Sequence, residues 1–81
     1  MQNDQRQLPF LGSLNLEVLQ ASQTSLHGDL YFDLMVRESG HQASEPFMIR
    51  VAKGACVVSP TPGTLVKVEF LSGQVERLTP A

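Results

Sequence analysis

This chain of 81 residues has no tryptophan, one tyrosine, one cysteine and a charged fraction of only 17%. Each scarcity excludes something. The lone Cys56 can form no intrachain disulfide and no cysteine-based metal site. No apolar run approaches the roughly 20 residues of a membrane-spanning helix. The opening Met1-Gln2-Asn3-Asp4-Gln5-Arg6-Gln7 lacks the basic-then-apolar order of a secretory signal. The expectation is a soluble cytoplasmic protein with no membrane association. Six basic against eight acidic residues leave a net charge of −2. A protein that mainly grips phosphates carries a basic excess, because each neutralised phosphate releases counterions. The overall balance leans away from that task, so the placement of the few cations matters.

Catalytic groups are also scarce. His27 and His41 stand in turn-like segments with no second ligand at metal spacing, and zinc needs three or four convergent ligands. Both read as surface turn residues. Cys56 is flanked by Ala55 and Val57-Val58, the setting of a buried, inert thiol rather than a nucleophile. Asp29 and Asp33 have no partner suited to acid–base work. Gly63 and Gly73 are isolated turn glycines, not a phosphate loop. No enzyme activity, metal or cofactor is expected.

What the chain has is alternation. Leu14, Leu16 and Val18 recur at every second position and predict a first strand running on towards Gln23. Leu30, Phe32, Leu34 and Val36 share one face of a second strand, and Tyr31, Met35 and Arg37 the other, because a strand's faces follow parity. Phe47, Ile49 and Val51 define a third strand, with Met48, Arg50 and Ala52 outward. Val66, Val68 and Phe70 define a fourth, with Lys67 and Glu69 outward. His27-Gly28-Asp29 and Ser72-Gly73 read as tight turns, the latter leading into a short last strand over 74–78. The segment 38–45 reads as a polar loop. Ser59-Pro60-Thr61-Pro62-Gly63 reads as a rigid turn, since paired prolines exclude a central strand.

Five short, glycine-punctuated strands predict a small all-β barrel of the OB (oligonucleotide/oligosaccharide-binding) type over residues 13–81, preceded by a flexible arm over 1–12. The helix usual between strands three and four is absent or reduced to a turn around 54–58. An SH3-like barrel is the nearest competitor; an immunoglobulin sandwich needs about seven strands.

On the outer surface of strands two and three, Tyr31, Met35, Arg37, Met48 and Arg50 fall together, with Lys53 and Lys67 towards the rim. That surface of an OB barrel binds single strands, aromatic rings stacking on bases and cations reaching phosphates. Tyr31, Arg37, Met48, Arg50, Lys53 and Lys67 are therefore the candidate nucleic-acid-binding residues. Asp33, Glu17 and Glu69 share the outward parity and oppose that field. The same Met, Tyr and Arg side chains also compose a protein interface, where those residue types are enriched. Outward Leu19, Leu65 and Leu71 on so small a domain predict a homodimer.

The closing third pairs Pro62-Gly63 with the alternating Val66 and Val68, and ends in Arg77-Leu78 and Pro80-Ala81. In size, in its five short strands and in this ending, the chain resembles the small single-stranded-DNA-binding proteins of filamentous phages, the gene V type. It is more distantly similar to bacterial single-strand-binding and primosomal OB proteins. The resemblance implies cooperative, sequence-independent coating of single-stranded DNA by a homodimer. The acidic balance and the single outward aromatic depart from that pattern.

Overall fold

A computed structural model describes residues 11–40 and 44–81. They form five antiparallel strands with almost no helix: β1 Leu11–Leu26, β2 Asp29–Glu38, β3 Phe47–Ala52, β4 Leu65–Leu71 and β5 Gln74–Pro80. One 3-10 turn, Lys53–Ala55, follows β3, overlapping the place where the sequence suggests a vestigial helix. Most of the expected N-terminal arm, 1–10, and His41 lie outside the described residues. Leu11 and Gly12 open β1, opposite Leu71 and Phe70 of β4. No helix among the described residues is long and apolar enough to cross a membrane.

The strands lie in the order β3-β2-β1-β4-β5. Three successive strands are neighbours, and β4 returns to lie beside β1, which is a Greek key. The sheet does not close into a full barrel. Its two edges approach where the segment after β3 meets β5: Val57 N–H donates to the Leu78 carbonyl at 2.8 Å, and Cys56 forms a single parallel bridge with Leu78.

Two hairpin turns set the pairing. His27-Gly28 and Ser72-Gly73 each hold both residues at positive φ, 53° and 86° in the first and 55° and 78° in the second. That is the conformation whose twist matches antiparallel strands.

The core sits where the two best alternating faces meet. Leu16, Val18, Leu34, Val36, Val51, Val66, Val68 and Leu78 are fully buried, and Ile49 and Phe70 nearly so. No polar or charged residue among those described is buried. The expected inward set on β2 is only half realised. Leu34 and Val36 are in the core, but Phe32 is partly buried and Leu30 is 39% exposed. On the other face Tyr31, Met35 and Arg37 are not fully exposed but partly buried.

The change sets in at a β-bulge, beyond which β1 from Gln20 to Ser25 is small or polar at both parities. Val18 pairs with Val36 and Gln20 with Met35, so Leu19 is an extra residue in β1. A bulge reverses which parity faces inward. Beyond it Ala21, Gln23 and Ser25 stand opposite Leu34, Phe32 and Leu30. Small and polar partners cannot cover Phe32 and Leu30, so this half of the β1–β2 hairpin leaves the core.

Candidate functional site

The outer surface of β2 and β3 is laid out in three cross-strand rows: Tyr31 opposite Ala52, Asp33 opposite Arg50, and Met35 opposite Met48. Directly opposed residues in an antiparallel pair are close enough to interact. The middle row does so strongly. Arg50 donates from Nε to Asp33 Oδ1 at 2.7 Å and from Nη2 to Oδ2 at 3.1 Å. These hydrogen bonds hold the Asp33 carboxyl below its ordinary range and raise Arg50 above its own. Arg37, on the other side of Met35, reaches Glu17 of β1 at 3.4 Å, its register partner. Both central arginines thus face carboxylates, and their field is largely local.

Lys53 is placed differently. It opens the 3-10 turn just past Ala52, so it stands beside Tyr31, and no carboxylate pairs with it among the described residues. Tyr31, Lys53 and Gly54 line one open groove of about 590 Å³ between the hairpin end and the end of β3, with Asp29 on its far wall. The structure therefore brings together one aromatic ring and one cation that has no ion-pair partner among the described residues. A second shallow depression lies between Asp33, Met48, Ile49 and Arg50, where Met48 is 54% exposed.

Lys67 does not join this cluster. It is carried by β4, opposite Asn15 of β1, and lines a separate hollow with Gly12, Ser13, Glu69 and Phe70. Of the six candidate residues, Tyr31 and Lys53 share a groove, Met48 and Arg50 share a neighbouring hollow, Arg37 lies beyond Met35, and Lys67 is two strands away.

The sequence marks Gln23 only as a strand end and Pro60 and Pro62 only as a rigid turn, and its alternation puts Phe32 in the core. All four line a further cleft on the opposite side of β2 from Tyr31. Parity alone could not find it, because one wall is supplied by the 59–62 turn, which only the folded chain brings over β1 and β2.

Cys56 is partly buried, its Sγ 3.7 Å from the Ala52 carbonyl oxygen, and burial raises its pKa. No group of three or more His, Cys, Asp or Glu among the described residues is arranged to hold a metal. No protein-family model, curated protein or solved structure matches the chain significantly.

Proposed function

We propose that the protein is a non-catalytic OB-like barrel that binds single-stranded nucleic acid, DNA in the first instance. The Greek-key order, the five strands and the near meeting of β3 with β5 support a partly open OB-like barrel. The observation that carries the function is the groove shared by Tyr31 and Lys53, a flat ring for a base beside a cation for its phosphate. Arg50, Met48 and Arg37 extend the surface along β2 and β3, and Lys67 supplies a remote positive charge. The protein works in the cytoplasm as a homodimer on this reading. Leu11 and Leu71, paired and 61% and 51% exposed, are the apolar surface that supports assembly.

Tyr31 is the only tyrosine and there is no tryptophan, so intrinsic fluorescence reports on this site alone. Titration with oligo-dT at low salt is expected to quench Tyr31 and to weaken steeply as salt rises. Absence of both quenching and binding at low salt overturns the proposal.

A second reading rests on Met48 and its neighbour Met35. Exposed methionine beside a mutually neutralised Arg50–Asp33 pair suits a protein partner better than a phosphate chain. That reading expects partner binding that is insensitive to salt.

A further inference from the structure

Beyond the bulge at Leu19 the Phe32 face of the β1–β2 hairpin is only partly covered among the described residues. Phe32, opposite Gln23, forms the floor of a cleft of about 450 Å³. Pro60 and Pro62 form the facing wall. That wall is fixed: Val18 N–H donates to the Thr64 carbonyl at 2.9 Å, and Gly63 N–H to the Val18 carbonyl at 2.8 Å. The cleft is built before any ligand arrives, and its size falls in the range of small-ligand sites.

Its chemistry narrows the occupant. The ring of Phe32 and the exposed Pro62 offer flat apolar contact, Gln23 offers an amide donor and acceptor, and Thr61 a hydroxyl. Among the described residues Lys53 provides the only charge, and none of their carboxylates lines the cleft. An apolar flat group with polar edges and an attached anion matches all of these, which is a nucleotide. Lys53 also lines the Tyr31 groove, so the two clefts meet at one cation.

We propose that this cleft holds a second nucleotide of the same single strand. The strand crosses the end of β2 over Lys53, with one base against Tyr31 and a following base against Phe32 and Pro62. The proposal rests on the strand-binding reading above.

Gln23→Glu tests it, since an isosteric carboxylate in the cleft repels phosphate at an exposed position and leaves the core untouched. Phe32→Leu removes the ring, with thermal unfolding confirming that the variant folds. Labelled dT oligomers from about two to about twelve nucleotides span the site size of one OB fold. Each variant is expected to weaken the longer oligomers about fivefold or more, Phe32→Leu by one lost stacking contact and Gln23→Glu by repulsion of the phosphate. The shortest oligomers that quench Tyr31 should lose much less. Wild-type-like affinity of Gln23→Glu at every length, with Tyr31 quenching intact, overturns the second subsite and leaves the Tyr31 groove standing. No binding or quenching by the wild-type protein at any length overturns both.

Discussion

Arg50 and Asp33 face each other across the β2–β3 ladder and are joined twice, at 2.7 and 3.1 Å. The fork of the guanidinium matches both carboxylate oxygens, which ties the arginine to its cross-strand partner. The pair stands in the middle of the candidate surface and consumes its most central cation. Whether that surface attracts phosphates therefore depends on Asp33 as much as on Arg50.

Asp33→Asn keeps the shape and removes the charge. On the strand-binding reading, oligo-dT affinity at low salt rises, and the slope of log affinity against log salt steepens by about one unit. Equilibrium binding across a salt series checks both. Acid acts in the same direction. Asp33 titrates below its ordinary value of 3.8 because Arg50 hydrogen-bonds its ionised form. The pair's contribution to folding is thus present above about that pH and lost as pH falls through the lowered value. Asp33→Asn should flatten the stability curve in that acid window and lower stability at neutral pH by the same small amount, since the pair is solvent-accessible.

Tyr31→Ala and Lys53→Ala separate stacking from charge. Loss of the ring is expected to cost about 1–3 kcal/mol of oligonucleotide binding with the salt slope unchanged. Loss of the ammonium should flatten the slope by about one unit. Arg50→Ala also weakens binding, because it exposes an unpaired Asp33 carboxylate. Fluorescence anisotropy at several salt concentrations distinguishes the three.

The turns offer a stability test independent of function. His27 and Ser72 occupy left-handed backbone, at φ of 53° and 55°. Asparagine tolerates that conformation better than either residue. His27→Asn and Ser72→Asn are expected to raise stability by a few tenths to about 1 kcal/mol each, by the scale of compatible turn substitutions. Gly28→Ala and Gly73→Ala, which add a Cβ at φ of 86° and 78°, should lower it by about 1–2 kcal/mol. Urea denaturation reads all four.

Leu34 and Leu71 both belong to alternating strands, yet one is fully buried and the other 51% exposed. Leu34→Ala should cost about 2–5 kcal/mol, a large share of a small domain's total stability. Leu71→Lys should change monomer stability by less than about 0.5 kcal/mol. If the Leu11–Leu71 patch joins two copies, the same substitution shifts sedimentation to the monomer.

Cys56 offers a test of burial. Its thiolate is disfavoured by desolvation, so a disulfide reagent at neutral pH should label it slowly in the folded protein and rapidly in urea.

Parity in the sequence was enough to place Leu16, Val18, Leu34, Val36, Ile49, Val51, Val66, Val68 and Phe70 on inward faces, because burial of one face leaves a strand no other register. The glycines after His27 and Ser72 were enough to mark both hairpins, since few residues accept left-handed backbone. Three things depended on the folded chain. The bulge at Leu19 is a property of how β1 pairs with β2, and it decides that Ala21, Gln23 and Ser25 stand opposite Leu34, Phe32 and Leu30. The pairing of Arg50 with Asp33 requires that β2 and β3 settle in one register, which neither strand encodes alone. Lys53 joins Tyr31 while Lys67 does not, because strand order in space, not outward parity, decides which cations share a surface.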